Sequence, residues 1–90
     1  MGAHRSNVIV VVEVVSPSSE QRDYVEKARG YATVPTIAHY LIIDPTARTL
    51  HHHTRATLTS GADPELVTGL ILRLDPPGLA VDLSGLFGPQ

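Results

Sequence analysis

Glu13 poses the clearest chemical question in this chain, because it is the one acid in an aliphatic run from Val8 to Val15. A β-branched run of this kind, closed by Ser16 and Pro17, predicts a strand that is buried on both faces. A buried ionised carboxylate is costly unless it finds a cation, hydrogen-bond donors, a proton or a wet pocket. Glu13 is therefore a candidate functional residue. The alternative is an edge strand whose acid faces water.

A second set of polar residues follows at four-residue steps: Asp23, Lys27 and Tyr31. The sequence around Ser18 to Gln21 is typical of a helix start, in which the serine side chain accepts from the first free amides. On a helix that begins there, residues four apart share one face. This row could support chemistry at Glu13. It could equally be an exposed Asp23–Lys27 pair beside a tyrosine in the core.

The run from His51 to His53 suggests a metal site of a different kind. In a strand, His51 and His53 point to one face and His52 to the other, so at most two of them converge. A transition metal would need a further ligand, such as His39 or Asp44 across a hairpin. We expect instead an exposed hairpin strand that carries titratable side chains.

The elements that must position these residues can be read from apolar periodicity and turn residues. A strand is predicted from Asn7 to Val15, and an amphipathic helix from about Ser19 to Ala32. Further extended segments are predicted at 38–44, 48–54, 66–74 and 79–83, with turns at 44–47, 60–64 and 75–78 and a terminal anchor at Leu86 and Phe87. This order predicts an α+β fold, close to α/β, with one principal helix on a mixed sheet.

Composition narrows the class of protein. The chain has 90 residues, a formal charge of -2 and no cysteine. This length predicts a single domain over residues 1–90 with a small core and no disulfide to support it. The slightly acidic balance argues against DNA binding through bulk charge, although a local basic patch is compatible with it. With no apolar stretch of membrane-spanning length and no secretory signal, we expect a cytoplasmic protein with no membrane partner.

The segment from Glu13 to Ser19, EVVSPSS, carries a resemblance together with residues further along the chain. Those residues are Asp23, Lys27, Tyr31, Pro35, Tyr40 and Asp44. The combination resembles the Uma2 family of restriction-endonuclease-like proteins. The specific part of the match lies between Val8 and Asp44, and a weaker similarity extends to Phe87.

The resemblance implies the PD-(D/E)XK nuclease fold, in which acids on two strands hold Mg²⁺ and a lysine assists the attacking water. Glu13 matches the strand acid, and the carbonyl of Val14 matches a further metal ligand. Val15 stands where the simplest motif has its lysine, so Lys27 of the helix is the candidate to replace it. Asp23 and Tyr31 would support these two residues.

Two further positions depart from the family pattern. The family's first acid lies on an upstream strand, whereas residues 1–12 of this chain contain no acid. We therefore expect a shortened member that corresponds to the C-terminal half of the fold, in which Glu13 alone would hold Mg²⁺ weakly. His39 stands where the family often has Glu or Gln, and its side chain could still contact a ligand.

Three functions are compatible with this pattern. The first is a Mg²⁺-dependent endonuclease that acts on DNA phosphodiesters through Glu13 and Lys27. The second is a catalytically inactive module that keeps the nuclease core and serves in binding or oligomerisation. The third is a truncated product with no independent role. Because a sheet that lacks neighbouring strands exposes an edge, we expect a homodimer or higher homo-oligomer.

Overall fold

A computed structural model describes residues 8–16 and 21–88 of the chain. In its first half, strand β1 (Ile9–Val14) precedes helix α1 (Gln21–Ala32), and strands β2 (Ile37–Asp44) and β3 (Thr49–Thr54) form a hairpin. The second half contains helix α2 (Arg55–Ser60) and three short strands: β4 (Glu65–Leu66), β5 (Ile71–Leu74) and β6 (Leu79–Asp82). The predicted cap at Ser18 lies outside the described residues.

The strands form two sheets. The larger one has the order β1-β2-β3-β4, with β1 parallel to β2 and the other neighbours antiparallel. Strands β5 and β6 pair antiparallel as a separate two-stranded sheet. A mixed sheet with helices and a second small sheet is an α+β architecture, so the predicted fold class is confirmed.

The two faces of the larger sheet bury different partners. On one face, Tyr40 and Ile42 of β2 pack with Leu58 of α2 and with the apolar stripe of α1, which includes Tyr24 and Tyr31. On the other face, a second cluster is built from Leu41, Leu50, Leu72 and Leu74. Alternation along β2 therefore sends successive residues into two cores, and β2 is the buried centre of the fold.

Strand β1 does not have the predicted burial. It is an end strand of the sheet in the described part of the chain, and Val12 and Val14 are 53% and 63% exposed. The prediction of a strand buried on both faces was therefore wrong. One face of β1 packs against the first core, and on its other face Val10 is the residue that packs against the second core.

The predicted helix and first hairpin are confirmed, but α2 was not predicted. Thr54 caps this helix by accepting from the Thr57 amide, the Thr57 side chain accepts from the Thr54 amide, and Gly61 closes it in the left-handed region at φ 74°. The guanidinium of Arg55 donates to the carbonyls of Ala32, Val34 and Ile37. Helix α2 thereby ties the end of α1 to the start of β2.

The predicted extended segment at 66–74 is interrupted. Strand β4 ends at Leu66 and β5 begins only at Ile71, so this segment joins two different sheets. The predicted terminal anchor is confirmed, because Leu86 packs against the second core. Arg48 holds the same tail by donating to the carbonyls of Phe87 and Gly88, each at 3.1 Å.

Candidate functional site

The structure brings Glu13 and Lys27 into direct contact. The Lys27 ammonium donates to Oε2 of Glu13 and forms an ion pair with it. The other carboxylate oxygen, Oε1, accepts from the hydroxyl of Tyr40 at 2.9 Å. The two predicted catalytic residues therefore meet across a strand and a helix, and a buried tyrosine completes the cluster.

The positions of these side chains follow from strand alternation. Val11 is the register partner of Tyr40, and Glu13 is the partner of Ile42. Odd-numbered residues of β1 and even-numbered residues of β2 thus share the face on which α1 packs. Lys27 reaches Glu13 from that helix. Its side chain is 45% exposed and that of Glu13 is 24% exposed, so the ion pair lies at the rim of the core.

Electrostatics hold the cluster in one charge state. The hydrogen bond from Lys27 lowers the pKa of Glu13, and the bond from Tyr40 acts in the same direction against the opposing effect of partial burial. The bond to Glu13 raises the pKa of Lys27. Burial, followed by the bond to Glu13, raises the pKa of Tyr40 above its ordinary value. At neutral pH the cluster is therefore a carboxylate held by an ammonium and a neutral phenol.

The two predicted supporting residues lie in different surroundings. Asp23 is exposed one helical turn before Lys27, and its charge contributes to the raised pKa of that lysine. Tyr31 packs into the core, where its ring meets the Tyr40 ring edge-on with centroids 4.8 Å apart. Tyr31 therefore positions Tyr40 and does not contact Glu13 through any hydrogen bond among the described residues.

The peptide group of Val14 faces the open side of β1. The Val15 amide donates to the Ile43 carbonyl of β2, and neighbouring residues of a strand aim their peptide groups in opposite directions. The Val14 carbonyl therefore points away from β2, on the side where β1 has no strand partner among the described residues. No strand among residues 8–16 and 21–88 covers this carbonyl, so it faces the outer edge of the described sheet.

The oxygen atoms at this site meet only part of what a Mg²⁺ ion requires of its ligands. Magnesium binds oxygen ligands, and it is commonly held by one or two carboxylates together with waters and substrate phosphates. Glu13 and the Val14 carbonyl are ligands of the correct type. Within residues 8–16 and 21–88, however, no three His, Asp or Glu side chains are grouped so as to hold a metal ion. This set fits a cation that arrives with a phosphate better than a resident one.

The histidines are arranged for structure. His53 stacks on Tyr40 and bonds Thr57, on the face that carries Glu13. His52 lies on the opposite face and bonds Nδ1 of His39 at 2.8 Å. His39 is 2% exposed, and its other ring nitrogen, Nε2, donates to the Pro76 carbonyl. The predicted split of the histidines between two faces is confirmed. The expectation of an exposed strand was wrong, because His52 and His53 are buried, at 8% and 5% exposure, between the sheet and its two cores.

An open groove lies beside the candidate site but does not include it. The groove has a volume of about 740 Å³, and its polar lining includes Asp44, His51, His53 and Thr57. Neither Glu13 nor Lys27 lines it. The Asp44 carboxylate is used in its own turn, where it accepts from the amides of Thr46 and Ala47 at 3.0 Å. The Glu13 cluster thus lies at the rim of the sheet, outside this groove.

Tyr40 is the site residue to which the sequence assigned no role. Tyr40 belongs to the residue pattern of the resemblance. Its contact with Glu13, however, connects two strands that helix α1 separates in the chain. The sequence signal for this contact is the even residue number of Tyr40 in β2, a strand parallel to β1. Once the register of the two strands is known, this position places Tyr40 on the face of the sheet that carries Glu13. Sequence alone does not supply that register.

Comparison with known proteins supports the family prediction. The model of the Uma2 family, described as "Putative restriction endonuclease", matches residues 2–83. The chain belongs to the Uma2 family, as the pattern from Glu13 to Asp44 predicted. No curated protein matches the chain. Neither of the helices in the described part of the chain has the length and apolarity needed to cross a membrane.

Proposed function

We propose that this protein is a Mg²⁺-dependent endonuclease that acts on DNA phosphodiesters at the Glu13–Lys27 cluster. The observation that carries the proposal is the contact between these two residues, which are 14 positions apart in the chain. An acid on a strand and a lysine beside it are two of the three functional groups that the family resemblance implies, and the third, an acid on an upstream strand, has no counterpart in residues 1–12. Membership of a family described as restriction endonucleases supports the same reaction class.

In this proposal Glu13 and the Val14 carbonyl are the residues that would hold Mg²⁺, together with an oxygen of the DNA phosphate. A bound divalent cation lowers the pKa of a coordinated water and neutralises charge that develops on the phosphate oxygens. The Tyr40 hydroxyl holds Oε1 of Glu13 and keeps the carboxylate ionised. The same bond fixes the orientation of the carboxylate and therefore the position of Oε2, the oxygen that accepts from Lys27.

Lys27 has the second role. Its raised pKa keeps the ammonium charged at neutral pH, and its side chain is largely exposed, so it can swing between Glu13 and a phosphate. A cation in that position orients the attacking water or stabilises the negative charge of the transition state. The charge of Asp23, one turn earlier on the exposed surface of α1, also favours the charged form of Lys27.

The test is cleavage of supercoiled, linear and single-stranded DNA with Mg²⁺ or Mn²⁺. We expect metal-dependent cleavage that Glu13→Gln and Lys27→Met each reduce by about 100-fold or more, as for the loss of a metal ligand or a charge-stabilising group. Glu65→Gln is the matched control, because it removes an acid of the same charge from β4 at the far side of the sheet. A pure, folded protein that cuts none of these DNA forms with either metal would sink the proposal.

A second candidate function is a catalytically inactive module of the nuclease fold that binds DNA or another copy of the chain. The observation that favours it is that each oxygen of Glu13 already accepts a hydrogen bond, one from Lys27 and the other from Tyr40. A folded protein that retains DNA binding after Glu13→Gln, and that shows no cleavage before or after it, would favour this function over the first.

A further inference from the structure

We propose that the groove beside Glu13 binds an unpaired nucleobase of the DNA strand whose phosphate lies at the Glu13–Lys27 cluster. The inference deepens the proposed function and rests on it for the position of that phosphate. Three features of the groove carry it: its place in the sheet, the hydrogen-bonding groups of its lining and the sign of the charges there.

The groove lies where two parallel strands end, between the two helices. Val15 and Ile42 line it near the ends of β1 and β2, and Ala28 and Leu58 line it from α1 and α2. Ligands of α/β sheets commonly bind at the carboxyl ends of parallel strands, and pockets of about 300–1,000 Å³ accept small organic ligands. With a volume of about 740 Å³, the groove therefore has the position and the size of a nucleoside site.

A single row of the sheet connects the candidate site with the groove. Glu13 is the register partner of Ile42, which is in turn the partner of His51 on β3. The three side chains share the face on which α1 packs. Neighbouring strands lie about 4.8 Å apart, so the backbone of His51 is about 10 Å from that of Glu13. One nucleotide can span this row, with its phosphate at Glu13, its base on Ile42 and the edge of the base at His51.

The groove offers hydrogen-bonding groups that the fold does not use. His51 is half-buried, and its ring has no hydrogen-bond partner among residues 8–16 and 21–88. Asp44 accepts from the amides of its own turn through Oδ1, which leaves Oδ2 without a partner in the same part of the chain. The apolar walls suit the face of a flat ring, and these two side chains suit its edge. The lining is therefore complementary to a nucleobase.

The charges of the lining decide which end of a nucleotide enters the groove. Asp44 and Asp63 line it together with Arg29, whereas Lys27 lies outside it. The two carboxylates repel a phosphate, but a carboxylate accepts readily from the exocyclic amino group of a base such as cytosine. The phosphate therefore stays at Lys27, and an amino-bearing base enters the groove. Because the bases of a duplex are paired and stacked, the substrate is single-stranded or locally unpaired DNA.

Binding of short, fluorescein-labelled oligonucleotides tests the base site without cleavage, when fluorescence anisotropy is measured in EDTA. We expect single-stranded oligo(dC) to bind at least about fivefold more tightly than an abasic strand of equal length and charge, because a stacked base adds affinity that the backbone alone does not supply. Equal affinities of the two strands would overturn the proposal.

Substitutions in the groove test where the base binds. Ala62 is exposed and lines the groove, whereas Ala56 is exposed on α2 and does not line it. We expect Ala62→Leu, which narrows the groove, and His51→Ala, which removes the contact at the edge of the base, each to weaken binding of oligo(dC) about threefold or more. Binding of the abasic strand should not change, and Ala56→Leu, the matched control, should affect neither strand. No loss in the first two variants, or an equal loss in Ala56→Leu, would overturn the location of the site.

The preference for an amino-bearing base tests the role of Asp44. The unmodified protein should prefer oligo(dC) to oligo(dT) by about threefold or more. Asp44→Asn keeps an oxygen for the amides of its turn and places an amide donor at the position of Oδ2, so it should abolish or reverse this preference. Asp82→Asn is the matched control, because Asp82 also accepts from an amide of its own turn and lies outside the groove. A ratio that Asp44→Asn leaves unchanged would overturn this role.

The same variants separate this inference from the proposed function. Base binding in the groove without any DNA cleavage would overturn only the proposed function. Cleavage that is equally fast at paired, unpaired and abasic positions would overturn only the base site.

Discussion

Replacing Tyr40 by Phe removes one hydrogen bond and leaves the packing of the ring intact. The Tyr40 hydroxyl donates to an ionised carboxylate at 2.9 Å, and the residue is fully buried. Hydrogen bonds to charged groups contribute about 1.5–3 kcal/mol, and the lower end applies because water reaches the partly exposed Glu13. We expect the free energy of unfolding to fall by about 1–2 kcal/mol and Tm by about 5–15 °C.

The assay is urea unfolding followed by far-UV circular dichroism, because the chain has no tryptophan. Tyr24→Phe is the matched control. Its ring packs against the same cluster, and its hydroxyl has no hydrogen-bond partner among residues 8–16 and 21–88. We expect this control to change the free energy of unfolding by less than about 0.5 kcal/mol.

The stability cost of Tyr40→Phe should depend on Glu13, and this dependence is a second, independent test of the hydrogen bond. In a Glu13→Ala background, Tyr40→Phe should cost almost nothing, since the charged acceptor is gone. The pKa of Glu13 is lowered by folding, so its contribution to stability is present above the pKa of the unfolded state and is lost as pH falls through the folded value. The cost of Tyr40→Phe should therefore shrink in acid. A cost equal to that of Tyr24→Phe, or one unchanged by Glu13→Ala, would refute the reasoning.

Two other predictions concern elements away from Glu13. Burial lowers the pKa of His52 and His53, so the unfolded chain binds more protons than the folded chain below about pH 6.5, and urea midpoints should fall between pH 7 and pH 5. Midpoints that stay constant or rise over that range would contradict it. Arg55→Met should cost about 2 kcal/mol in urea unfolding, because three carbonyls at the end of α1 and the start of β2 lose a charged donor. The exposed Arg73→Met should be nearly neutral, and equal effects of the two substitutions would argue against this role.

Local signals were sufficient for part of the fold. The apolar spacing from Tyr24 to Ala32 predicted α1, and the turn after Asp44 predicted the β2–β3 hairpin. Helix α2 was missed because it is short and rich in threonine, which favours extended structure. Its caps, Thr54 and Gly61, were the signals that could have identified it.

Burial of β1 could not be predicted from its composition. An aliphatic run shows that a strand needs apolar neighbours, but it does not show which neighbours the chain supplies. Val12 and Val14 are exposed because β2 alone flanks the strand in the described part of the chain, and because on their face of β1 the second core extends only to Val10. The acid in this strand is thus at a rim and not in a closed core.

The candidate site, too, could be predicted only in part from the sequence. Its position in an aliphatic run singled out Glu13, and the four-residue spacing placed Asp23 and Lys27 on one helix face. The resemblance then implied a metal-binding role for Glu13 and a catalytic role for Lys27. That Lys27 reaches Glu13, and that Tyr40 takes the other oxygen, depends on the β1–β2 register and on the packing of α1. Both are long-range properties, which periodicity along the chain does not encode.

The most direct test of the proposed site is a crystal structure of the assembled protein with a short DNA duplex and Mn²⁺, examined at Glu13. We expect a cation about 2.0–2.2 Å from Oε2 of Glu13, a phosphate oxygen in its coordination sphere and Lys27 moved from Glu13 to that phosphate. Bound DNA with Glu13 still held by Lys27 and Tyr40, and with no cation at the carboxylate, would contradict the account.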